Sequence, residues 1–129
     1  MSGNDERAML LFARLAEVAA LKQQPIGRDR FLVLTGIAAT RAGWPDVATR
    51  CHEIIESKTP KHIVCHYASF ADALRDEDFQ TFTKQVERFC SPERAELLLQ
   101  EMQLQLPSPG DNSSAGDVAL DLLKPITSA

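Results

Sequence analysis

The sequence predicts an all-α domain of six helices, built from antiparallel hairpins, with a mobile C-terminal segment. Three observations carry this. Gly and Pro punctuate the chain at the spacing of helix ends, above all in 36–60, GIAATRAGWPDVATRCHEIIESKTP. Gly43 closes one helical run, Trp44-Pro45 opens the next and Pro60 stops it, with a C-terminal glycine and an N-terminal proline in the usual places. The apolar residues recur at helical rather than alternating spacing, and no hairpin of β-branched runs competes. Aromatics make up only 6% of the 129 residues, so the core rests on Leu, Ile, Val and Ala, which suits packed helices.

Each element follows from its own pattern. Asn4 caps a first helix, with Asp5 and Glu6 near its positive end. Met9, Phe12, Ala16 and Ala19 form one stripe and Leu11, Leu15 and Val18 another, so this helix is expected to be buried on two sides. Pro25 and Gly27 break it. A second helix is predicted over Arg28 to Ala42, with Phe31, Leu34, Ala38 and Ala42 inward. The third starts at Pro45 and buries Val47, Ala48, Cys51, Ile54 and Ile55. A fourth is predicted from a Thr59 cap and Pro60, with Ile63, Tyr67, Phe70, Ala71 and Leu74 as its stripe. After the charged turn Arg75–Asp78, a fifth shows Phe79, Phe82, Val86 and Phe89, and Phe82 and Phe89 are expected in the core. Ser91-Pro92 opens the sixth, which ends at Pro107.

Three segments result: a helical domain over 1–106, a flexible linker over 107–117 and a short apolar tail over 118–129. Val118 to Leu123 has four large apolar side chains in six residues. It is expected either to fold back on the body, the preferred outcome, or to serve as a docking peptide.

Composition and charge exclude several classes. The net charge of −4 argues against non-specific nucleic-acid binding, which needs a dense basic surface. No apolar run approaches the roughly 18 residues of a membrane span, and MSGNDER lacks the basic start of a secretory signal. Cys51, Cys65 and Cys90 are an odd count without CxxC, which favours free thiols and a cytoplasmic setting. No phosphate loop, dinucleotide fingerprint, nucleophile elbow or metalloprotease motif is present, so no enzyme and no cofactor are expected.

All three histidines and two of the three cysteines fall together at Cys51, His52, His62, Cys65 and His66. His62 and His66 would share a face of the fourth helix, and the set could converge on a transition metal across a hairpin. The spacing matches no zinc motif, and Cys51 lies on the apolar stripe of the third helix. No metal is expected, and a metal-binding or metal-sensing protein stands as the alternative function.

Residues 46–60 also match 78–92 at an offset of thirty-two, Asp46 with Asp78 and Pro60 with Pro92, as in stacked helical hairpins. Leu32, Gly36, Gly43, Ala48 and Pro60 fall at the intervals of a tetratricopeptide repeat, and the chain resembles that family over one repeat and a degenerate second. Thr35, Ala39 and Pro45 depart from the family's preferences, and the second hairpin lacks both glycines. The resemblance implies a concave groove lined by the first helix of each hairpin. Arg30, Val33, Ile37 and Arg41 would come from one hairpin and His62, Cys65, His66 and Ser69 from the other, with the arginines holding carboxylates of an extended peptide. The bland reading of these arginines is a solvated surface. The expected function is a non-catalytic interaction or adaptor module for an unidentified protein or peptide. A homodimer formed through the wide first helix is a third reading.

Overall fold

The computed structural model describes residues 2–107, 109 and 113–128. The molecule is all-α, and no strand occurs among the described residues. The helices are α1 (Ser2–Leu21), α2 (Pro25–Ala42), α3 (Pro45–Lys58), α4 (Phe70–Ala73), α5 (Glu77–Phe89), α6 (Pro92–Glu101) and α7 (Ala115–Ser128), with a 3-10 turn at Ile63–His66 before α4. Apart from the single turn α4, the six α-helices are each ten residues or longer.

The helix ends follow the punctuation. Pro25, Pro45 and Pro92 stand in the first turns of α2, α3 and α6, where a missing N–H costs nothing. Pro25 therefore opens α2 three residues earlier than predicted. Gly43 takes the left-handed conformation at φ 83°, and Trp44 N–H reaches back to the Ala39 carbonyl at 2.8 Å, which ends α2. Asp76 caps α5 through Oδ1, which accepts from Asp78 N–H at 2.9 Å, and Ser91 caps α6 through Oγ, which accepts from Arg94 N–H at 3.1 Å.

Helix α1 lies against α2, α6 and α7. Its wide apolar face, from Met9 through Leu11, Phe12 and Leu15 to Ala19, is thus covered within the chain. The C-terminal segment is part of this core: Val118 to Leu123 folds back on the body, the preferred of the two outcomes, and the segment is not the mobile one of the fold-class expectation. Ala119, Leu123 and Ile126 have no exposed surface, and α7 packs on α1 and α3. The helix begins with a reciprocal cap. Asp117 N–H donates to Ser114 Oγ, and Ser114 N–H donates to Asp117 Oδ2, both at 3.1 Å. Of the linker predicted over 107–117, residues 108 and 110–112 lie outside the described residues, and Ala115 onward is helical.

The fourth predicted helix does not form as one piece. Its residues make a turn, the 3-10 turn and α4. His52 on α3 is bonded into the break. Its Nε2 lies 2.7 Å from the Tyr67 carbonyl and 3.2 Å from the Val64 carbonyl. An uninterrupted helix would direct those carbonyls along its own axis; here they turn toward the imidazole. Ser69 then restarts the helix by accepting from Asp72 N–H. Phe70 is buried against α2, whereas Ala71, expected in the stripe, is exposed and Ala73 takes its place inside.

The expected stripe on α5 is also rotated. Phe79, Thr83, Val86 and Cys90 face the core, while Phe82 is half-buried and Phe89 is 36% exposed. Phe82 sits at the edge of this face, its ring 5.6 Å from those of His62 and Phe79. Phe89 instead lies on the flank, tilted against Phe31 at 5.4 Å, with the Arg30 guanidinium 4.7 Å above its ring.

Asp29 joins the start of α2 to the end of α3. It is buried, its Oδ2 accepts from Thr59 Oγ1 at 2.7 Å, and its Oδ1 accepts from Arg28 Nε at 3.1 Å. Asp29→Ala should cost about 1–3 kcal/mol, because it leaves the Thr59 hydroxyl without its acceptor. Urea unfolding should show a smaller loss in a Thr59→Val background. Equal losses in both backgrounds would mean the bond contributes nothing.

Candidate interaction groove

One face of α2 carries Leu34, Ile37, Ala38 and Arg41, spaced i, i+3, i+4 and i+7. Opposite it stand Asp5, Ala8 and Phe12 of α1 and Glu87, Cys90, Ser91 and Pro92 of the α5–α6 junction. Between them is a cleft of about 300 Å³. Its floor is apolar and its rim carries Asp5, Arg41 and Glu87. A second cleft, of about 400 Å³, is lined by Arg41, Leu74, Gln80, Thr83, Lys84 and Glu87. The two share Arg41 and Glu87, so they form one groove divided by the Arg41–Glu87 ion pair. That pair is a single contact, Nη1 to Oε1 at 3.2 Å, between two half-exposed side chains. Such a pair contributes at most about 1 kcal/mol and rearranges easily.

The structure divides the predicted groove residues. Ile37 and Arg41 line the first cleft. Val33 has no exposed surface and belongs to the core, which corrects its assignment to a groove. Arg30 lies on the same side of α2 as Arg41 but about 16 Å along the axis, engaged with Phe89. His62 is not on a helix shared with His66. Its Nδ1 accepts from Val64 N–H at 3.1 Å to cap the 3-10 turn, and its ring meets Phe82 edge-on. His66 is exposed beside Cys65 in a separate cleft, and Ser69 caps α4. The second hairpin therefore contributes no groove-lining helix at 62–69.

The Cys/His cluster is brought together only in part: His52, Cys65 and His66 line one cleft with Glu53 and Glu56, and Cys51 and His62 are not in that lining. Cys51 is fully buried on the inner side of α3. His52 points its Nε2 at the two loop carbonyls, and its Nδ1 lies 3.6 Å from Glu56 Oε2. Among the described residues, no group of three or more His, Cys, Asp or Glu is arranged to hold a metal ion. Burial pushes the Cys51 thiol far up. Burial also raises Cys65, with Glu56 and Asp29 adding to the effect, and raises Cys90, against which Arg94 acts. All three are held as thiols rather than as nucleophilic thiolates.

Burial pulls the His62 imidazole below its ordinary value of 6.5, partly offset by the charge of Asp29. Protonation would also take away the acceptor for Val64 N–H. A lowered folded pKa means that the unfolded chain binds the proton more readily. The His62 contribution is therefore complete above 6.5 and is lost as the pH falls through the folded value. Melting curves between about pH 5 and pH 7 should show this acid-side loss, and His62→Gln should flatten it. An unchanged slope in the variant would place the sensitivity elsewhere.

The groove's acidic and hydroxyl residues were not legible beforehand. Glu87, Thr83 and Asp5 lie far from Arg41 in the chain, and no local pattern joins them. No protein-family model matches the chain, no curated protein matches it and no solved structure matches it. No helix among the described residues is long and apolar enough to cross a membrane.

Proposed function

We propose that the protein is a non-catalytic interaction module of the helical-hairpin type that takes a short peptide segment of a partner protein along the α2 groove. The observation that carries this reading is the pair of clefts meeting at Arg41 and Glu87, one with an apolar floor and the other with a polar lining. An extended segment could seat an apolar side chain in the first and a polar one in the second, a combination common in peptide grooves. The α2–α3 hairpin carries the tetratricopeptide spacing, and two of the residues that the resemblance assigns to a groove, Ile37 and Arg41, line this one. The free cysteines Cys51, Cys65 and Cys90 fit a reducing compartment such as the cytoplasm.

The test is selection from a peptide library displayed on phage. The wild-type chain should enrich a consensus, and Arg41→Glu should lose it while melting normally. Failure to enrich any consensus, or identical peptides on both proteins, overturns the reading.

A further inference from the structure

Beneath the lining of the second cleft lies a hydroxyl that the fold leaves unused. Thr83 is 4% exposed, and its Oγ1 is buried without a hydrogen-bond partner. Three other helical threonines behave differently. Thr35 donates to the Phe31 carbonyl at 2.7 Å, Thr40 to Gly36 at 2.8 Å and Thr81 to Glu77 at 3.3 Å. Thr83 has the Phe79 carbonyl four residues back and makes no such bond. A buried hydroxyl without a partner is costly and rare in a folded protein.

The surrounding charges indicate what would satisfy it. Arg41 and Lys84 outnumber Glu87, so the lining carries one net positive charge. Arg41 spends one of its five N–H groups on Glu87 and keeps the others. Lys84 makes no ion pair among the described residues. Gln80 spends its Nε2 on the Leu74 carbonyl at 3.0 Å. Gln80 Oε1 and Glu87 Oε2 remain as acceptors, while the free donors belong to Arg41, Lys84 and Thr83, and the balance of one positive charge suits a monovalent anion. A dianionic phosphate would meet Glu87 with too little compensation.

We propose that the cleft between α2 and α5 is a carboxylate site that takes an acidic side chain of the partner peptide, with Arg41 and Lys84 supplying the charge and the Thr83 hydroxyl the directional bond. The proposal rests on the interaction-module reading and names the chemistry of its partner. The Thr83 hydroxyl has no accessible surface of its own, so the ligand reaches it by parting the side chains that line the cleft.

The experiment titrates the full, nitrogen-15-labelled chain with N-acetyl-glutamate amide and, as a control, N-acetyl-glutamine amide. The glutamate probe should give saturable shifts at the amides of Leu74, Thr83 and Lys84, and the glutamine probe should give none. Thr83→Val should weaken the glutamate probe about tenfold while melting no lower than the wild type, because it removes an unsatisfied group. Thr83→Ser should retain the affinity, and Arg41→Gln and Lys84→Gln should each lose it. Equal binding of both probes, silence at those amides, or a Thr83→Val variant of unchanged affinity overturns the proposal. The last result would leave the hydroxyl holding a buried water only. A library consensus without acidic residues, together with equal probes, sinks the carboxylate site but not the module. Glutamate-selective shifts without any consensus sink the module but not the site.

Discussion

A chain ending at Leu106 should not hold a native core. Helix α7 contributes Ala115, Ala119, Leu122, Leu123 and Ile126 to the buried set, and its removal uncovers their partners on α1 and α3. Burying one large aliphatic side chain contributes about 1.5–3 kcal/mol. Losing three of them, and exposing what they covered, costs on the order of 5 kcal/mol or more, comparable with the whole stability of a domain this size. The truncated chain should lose its cooperative melt and bind a hydrophobic reporter dye. Trp44 offers a second readout. A Cβ at Gly116 would come within 2.5 Å of the indole, and Glu6 Oε2 accepts from its Nε1 at 3.0 Å. Its fluorescence should shift to the red when α7 is gone. A truncated protein that melts cooperatively at the wild-type temperature would show that α7 does not support the fold.

Phe70→Ala should be the most damaging single truncation, at about 3–5 kcal/mol. The ring is fully buried and meets Phe79 and His52 edge-on, at 6.4 and 6.2 Å between centroids. It also rests on Gly36, where an added Cβ would collide with Cε2. An alanine inside a helix normally gains about 1 kcal/mol over glycine. Gly36→Ala should instead lose about 1–3 kcal/mol, because overpacking against a pinned ring outweighs the propensity. Combined with Phe70→Leu, it should cost less than the sum of the two single changes, since the smaller side chain yields the space. Chemical denaturation of the four proteins closes this cycle. A stabilising Gly36→Ala would refute the close approach.

These cases show why part of the molecule was readable in advance. Gly43, Pro45, Ser91 and Pro92 act locally, through backbone geometry and caps within four residues, so the helices they bound were visible. The break in the fourth helix involves His52, twelve and fifteen residues before the carbonyls it engages, and no short-range pattern reports that. The rotated face of α5 is a related case. Hydropathy ranks Phe82 and Phe89 above Thr83 and Cys90, but the way α5 packs on the rest of the chain, not hydropathy, decides which flank is covered. The Ser114–Asp117 cap was legible but lay inside a segment whose Pro, Gly and Ser content suggested a linker. The groove was half-visible. Ile37 and Arg41 share a helical face that periodicity shows, whereas Glu87 and Thr83 come from a helix brought there by tertiary packing.

The contact between α1 and α7 also affects how the chain comes off the ribosome. The two helices are separated by about a hundred residues, so this pairing closes a long loop and forms late. Until α7 emerges, the nascent chain carries the part of α1 that packs on it without its final cover. A cell making this protein therefore handles, for several seconds at ordinary elongation rates, a nearly complete domain with a sticky flank. That is the interval in which a chaperone would engage it, and in which α7 of a neighbouring nascent chain could be captured in error.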